Sequence, residues 1–191
     1  MSGQSDGNGP DKYQKAADHL AYEVRMFFGT AREVERRTRR KGNSSGVPCV
    51  STGGYPPELE RESHVGVGDD VLWDALVESF LIHFRALVDF LFLRPSNDDV
   101  AAKHYVPSGA DMHTCVPPSL RRLKRRVHKE VAHLTYARTL RSEPEDREWP
   151  FLDIARKLGE ELRDFLGLGD STRLGSARDK IEKVLEEFGQ P

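Results

Sequence analysis

One stretch, "DVLWDALVESFLIHFRALVDFLFL" at residues 70–93, constrains the fold more than any other part of the chain. Set on a helix, Asp74, Glu78, Arg85 and Asp89 fall on one narrow polar stripe, and nearly all the rest of the circumference is apolar. Such a helix needs neighbours on most sides, and a helical bundle supplies them. Its ionisable side chains, His83 among them, argue against a membrane span, because each is expensive in hydrocarbon. Asp69 or Asp70 is placed to cap the helix, and Pro95 stops it.

The rest of the chain carries the same period. From about Asp11 to Lys41, Tyr13, Ala17, Leu20, Val24, Phe27, Ala31 and Val34 recur every three or four residues and lie on one face. That helix ends in "ERRTRRK" before Gly42, where cations suit the dipole and glycine suits a stop. Residues 42–69 are rich in Gly, Ser and Pro and read as a long loop; residues 1–10 read as a disordered tail. Prolines at 95, 107, 117 and 118 make 94–118 mostly loop, with a short helix expected near Asp98–His104. Further helices are expected over about 118–140, 150–167 and 171–188, the first broken by "SEPEDREWP". There is no period-2 strand pattern and no internal repeat. The expectation is an all-α bundle of about five helices, forming a single domain over 11–191.

Composition narrows the function classes. The chain has 191 residues, enough for a core without metal or disulfide, and a net charge of -2. That balance carries no global basic bias, so any nucleic-acid contact must use a local patch. The two cysteines, Cys49 and Cys115, lie far apart in loop-like sequence and fit a reducing cytoplasm better than a disulfide framework. No membrane association is expected. Neither a Gly-rich phosphate loop after a strand nor a Gly-x-Ser-x-Gly elbow occurs. His104, His113 and Cys115 lack the paired spacing of a zinc site, so neither metal nor cofactor is expected.

The stretch "RRVHKEVAHLTYAR", residues 125–138, raises a chemical question. Leu120, Leu123, Val127, Val131 and Leu134 form an apolar stripe, and Arg126 and His133 sit at its edge. Seven residues apart, these two differ by only about 20° in direction and by roughly 10 Å along the axis. An arginine there can fork onto phosphate oxygens, and a histidine can exchange a proton with a ribose 2′-hydroxyl or a leaving oxygen. A two-fold dimer would bring two such pairs to one cleft. Arg125, Lys129 and Tyr136 lie further round the helix and are candidate substrate contacts. "RRLKRR" at 121–126 reads either as a phosphate-tracking run or as a solvated face.

Arg126 and His133, with six residues between them, resemble the Arg-x(4–6)-His pattern of HEPN domains, and "ESFLIHFRALVDFLF" followed by "KEVAHLTYAR" is similar to a group of bacterial HEPN-like proteins. The resemblance covers about 70–140. It implies an all-helical homodimer that binds or cleaves RNA without a metal, with Arg126 and His133 as catalytic residues. It also implies a toxin–antitoxin or phage-defence setting, with an antitoxin or operon partner. Beside it stands a structural alternative: Arg126 solvated, His133 capping a packing edge, and the protein a non-catalytic helical interaction module. His83 reads as a satisfied core histidine, or else as a group orienting His133 or Tyr136 across the bundle. Glu78 is expected either to join the Arg85–Asp89 pair or to support the same site.

Overall fold

A computed structural model describes residues 10–42, 67–92, 96, 98–108, 110, 116–130 and 149–189, with side chains at all of these except 10, 11, 40–42, 67–70, 129 and 130. Among the described residues there are α-helices and no strand: α1 (Pro10–Gly42), α2 (Val67–Phe92), α3 (Pro118–Glu130), α4 (Phe151–Leu168), α5 (Ser171–Leu174) and α6 (Ser176–Gly189). The all-α bundle expected from the periodicity is present. The short helix expected near 98–104 is a single 3-10 turn, Ala102–His104. The continuation of α3 expected beyond Glu130 lies outside the described residues, as do most of the expected loop at 42–69 and tail at 1–10. At their edges the structure corrects the expectation, since Pro10 and Gly42 belong to α1 and residues 67–69 to α2, whose apolar period starts before the expected cap.

α1 is the hub, with α2, α4, α5 and α6 all packed against it. Its expected stripe is buried from Ala17 to Val34, with Tyr13 partly covered. Ala21 and Phe28 are buried too, which widens the stripe, because α1 has to satisfy α2 on one side and α6 on another. Phe27 stacks on Phe80 of α2 at 4.7 Å between ring centroids, and Phe28 meets Phe188 of α6 at 4.7 Å. Burying each of these rings contributes about 2–3 kcal/mol. The seam continues through Phe80 onto Phe151 at the start of α4.

α2 packs on α1, α3, α4 and the 3-10 turn, yet it is covered on fewer sides than its sequence asks for. Val71, Leu72 and Ile82 remain 62%, 45% and 57% exposed. The central place belongs to α1. Among the described residues, no helix is long and apolar enough to cross a membrane.

The 3-10 turn plugs one end of the bundle with Tyr105. Its ring is fully buried beside Tyr13, Phe90 and Phe165. Its hydroxyl donates to the Tyr13 carbonyl at 3.0 Å, and its own carbonyl accepts from the Asp170 amide at 2.6 Å. Arg173 ties the same end from outside, donating to the His104 carbonyl at 2.5 Å and lying over the Tyr13 ring. His104 Nδ1 accepts from the Ala101 amide. Burial, then the cations Lys103, Lys12 and Arg173, hold its pKa below the usual histidine range.

The C-terminal segment differs from the single helix expected over 171–188. Asp170 caps α5 by accepting from the Thr172 and Arg173 amides. One turn later Gly175 adopts φ 53°, the only positive φ among the described residues, and α6 starts anew. The break lets Leu174 bury from α5 while Ala177, Ile181 and Leu185 bury from α6. The apolar spacing of 174, 177, 181 and 185 runs straight through the glycine, so periodicity alone joins the two helices.

Gly175→Ala is expected to cost about 1–2 kcal/mol in urea unfolding, since a Cβ at that φ is strained whatever space surrounds it. Tyr105 offers a pH test. Burial, with Tyr13 beside it, pushes the phenol up to about 12. A pKa raised above the unfolded value near 10 means that the stability tied to the neutral phenol is whole below pH ~10 and is lost as pH rises towards ~12. Tyr105→Phe is expected to lose about 1 kcal/mol at neutral pH with the hydrogen bond. It is also expected to flatten the fall in urea midpoint between pH ~9 and ~11.5; an unchanged alkaline slope counts against this assignment.

Candidate nucleic-acid interface

α3 starts at Pro118, where a missing N–H costs nothing, and the Arg121 amide closes the first turn on the Pro117 carbonyl at 2.9 Å. Leu120 and Val127 are buried and Leu123 is partly buried, so the expected apolar stripe is the face turned to α2. Val131 and Leu134, its expected continuation, lie outside the described residues.

The flanks of that stripe are held by cations. On one side Lys124 pairs with Asp89 of α2. Arg85 Nε stands 3.7 Å from the other oxygen of the same carboxylate. The expected Arg85–Asp89 pair is therefore present, but Asp89 serves α3 as well and fixes its register on α2. Glu78 does not join; it is exposed and forms no ion pair with a described residue.

On the other side Arg126 lays its guanidinium over the Trp149 ring, 3.9 Å from Cζ to the centroid. Trp149 is buried, and its carbonyl accepts from the Phe151 amide at 2.8 Å, which anchors the ring at the mouth of α4. Arg126 is thus a boundary residue, as its angular position predicts, and a pre-oriented one.

The outward arc of α3 carries Arg121, Arg122, Arg125 and His128, all exposed. The helix has no carboxylate before Glu130. Arg121 donates to the Val116 carbonyl at 3.1 Å, and Arg122 and Arg125 form no ion pair with a described residue. The result is a convex basic face whose charge is not cancelled within its own helix.

Of the residues expected at the site, Arg126 and Arg125 are placed on α3 as described. The Lys129 side chain, His133 and Tyr136 lie outside the described residues. His83 is on α2 with its Nδ1 2.7 Å from Glu23 Oε2 of α1, and its ring meets Tyr22 edge-on. Its nearest polar commitment is across the α1–α2 seam, whereas Arg126 is committed to Trp149. Sequence reasoning did not find the indole under Arg126 or the Lys124–Asp89 pair. The signal for the first was an aromatic directly before a helix-starting proline, and for the second two opposite charges flanking facing apolar stripes.

A double-mutant cycle on Arg126→Gln and Trp149→Leu is expected to return a coupling of about 0.5–2 kcal/mol in urea unfolding. A coupling near zero means the stack does not orient the guanidinium. No family model matches the chain, and neither the curated proteins nor the solved structures contain a significant match to it.

Proposed function

We propose that this is an RNA-binding helical protein of HEPN-like character that contacts the phosphate backbone through the outward face of α3. The observation that carries the reading is the row Arg121, Arg122 and Arg125, which forms no ion pair with a described residue, on a helix with no acid before its last residue. A face of that kind binds a polyanion through counterion release, which does not depend on the chain's net charge of -2.

The cleavage chemistry proposed beside that face rests on Arg126, at its edge, and His133. In a dimer the two helices would line one cleft. His133 takes the 2′-hydroxyl proton, the oxygen attacks the adjacent phosphorus, and the 5′-oxygen leaves with a proton returned by a histidine. Arg126, oriented by Trp149, forks onto the non-bridging oxygens and stabilises the charge that develops there. Arg125, Lys129 and Tyr136 contribute contacts along the strand. His83, held to Glu23 across α1 and α2, and Glu78, exposed on α2, have no part in the step. A cytoplasmic setting with an antitoxin or operon partner belongs to the same proposal.

One observation favours a different reading. Val71, Leu72 and Ile82 leave an apolar surface on α2, which suits a non-catalytic association module.

Binding to a single-stranded RNA, measured against salt, separates the two. Arg122→Ala/Arg125→Ala is expected to weaken binding and to lower the log–log salt slope by about 1.4, or 0.7 for each lost phosphate contact. His133→Ala and Arg126→Ala are expected to abolish cleavage, with the His133 variant keeping most of its affinity. A wild-type protein that retains no RNA at low salt, but loses self-association on Ile82→Glu, belongs to the second reading.

A further inference from the structure

On the far side of α1 lies a cavity of about 480 Å³, walled by α1, α4 and α6. Four arginines line it: Arg32 and Arg39 from α1, Arg156 and Arg163 from α4. The spacing is helical on both walls, since 32, 35 and 39 share one stripe and 152, 156, 159 and 163 share another. Gly159 leaves the α4 wall without a side chain at its closest approach to α1; a Cβ there would stand 3.4 Å from the Phe28 ring. Leu152, Ala155 and Phe188 supply an apolar portion.

The charges do not cancel. Arg39 pairs with Glu35 at 2.5 Å, Arg156 with Asp153 at 2.8 Å, and Arg32 stands 3.7 Å from Glu187. Arg163 has no carboxylate partner among the described residues. Its Nη2 instead donates to the Leu185 carbonyl at 3.2 Å, which holds the guanidinium in place beside Gly189. The three pairs are solvent-exposed on both partners or on the arginine, so each is weak and exchanges readily. A phosphate, with more charge and paired oxygens, competes well for the same forks.

We propose that this cavity binds a phosphorylated small molecule. Its phosphate is held by Arg163 and Arg156, with Arg39 released from Glu35 to close over it. Its organic part rests on Leu152, Ala155 and Phe188. The volume is of the size that takes such a ligand, and none of the residues lining the cavity belongs to α3. The inference does not rest on the RNA reading.

Calorimetric titration of the full chain with ADP, inorganic pyrophosphate and adenosine tests it. ADP is expected to bind more tightly than pyrophosphate, and adenosine not at all. Arg163→Gln and, separately, Arg156→Gln are each expected to weaken ADP at least tenfold, about 1.4 kcal/mol. Arg156 is exposed and, among the described residues, bonded only to Asp153, so its variant keeps the test valid if loss of the Leu185 contact unsettles the other. Arg125→Gln is expected to leave ADP binding unchanged. Adenosine binding as well as ADP, parity between ADP and pyrophosphate, no heat with any of the three, or unaltered affinity in both cavity variants overturns the proposal. So does a loss of RNA affinity in Arg163→Gln as large as its loss of ADP affinity.

Discussion

The contact on which the rest of the molecule depends is the aromatic seam between α1 and α2, centred on Phe27 and Phe80. Phe27 is wholly buried and touches Phe28, Phe80 and Phe84. Through Phe80 and Phe151 the seam reaches α4, and through Phe28 and Phe188 it reaches α6. Each of these elements then presents something to solvent that it could not present alone. α2, held by α1, offers Asp89 to α3. α4 and α6, held by the two faces of α1, leave the cavity between them.

What was legible in the sequence follows from this division. The stripe of α1 could be read because a buried face repeats at helical period wherever the neighbour is apolar, and so Ala17 to Val34 fell where expected. The angular argument for Arg126 also transferred, because a helix fixes direction from position alone. The break at Gly175 was not legible. Apolar spacing continues across it, and only the backbone conformation separates α5 from α6. The coverage of α2 was misjudged for a related reason. An apolar circumference states how much surface seeks cover and does not state which neighbours are long enough to provide it, and Val71, Leu72 and Ile82 remain exposed. Contacts between helices distant in sequence, such as Arg126 on Trp149 or Arg163 at Leu185, carry no periodic signature at all.

The two basic regions arise in different ways. On α3 the cause is composition: cations at nearly every outward position and no acid before Glu130 at the end of the helix. Around the cavity the cause is geometry. α1 and α4 are both rich in acid, and much of their charge is settled locally. Glu33 accepts from both Arg36 and Arg37, whose hydrogen bonds pull its carboxyl down to about 2. That pairing stays intact until pH falls from ~4.5 towards ~2, the direction required when a folded-state pKa lies below its unfolded value. Arg163 forms no ion pair with a described residue although Glu160 stands three residues before it, because its guanidinium is turned to the Leu185 carbonyl of α6.

A chain of net charge -2 can therefore carry two separate arginine-rich surfaces. Coulomb attraction between exposed groups fades within a Debye length of about 8 Å, so a ligand responds to the charges around it and hardly to the sum over the molecule. What decides the matter is whether the local acids are bonded to local cations in the folded state. On α1 they are, pair by pair, at helical spacing. On α3 Asp89, from another helix, pairs with Lys124 at the buried edge, and among the described residues no carboxylate pairs with Arg121, Arg122 or Arg125 on the outward arc. The apolar packing that turns α3 towards α2 is thus also what sorts its cations into one that is neutralised and a row that is not.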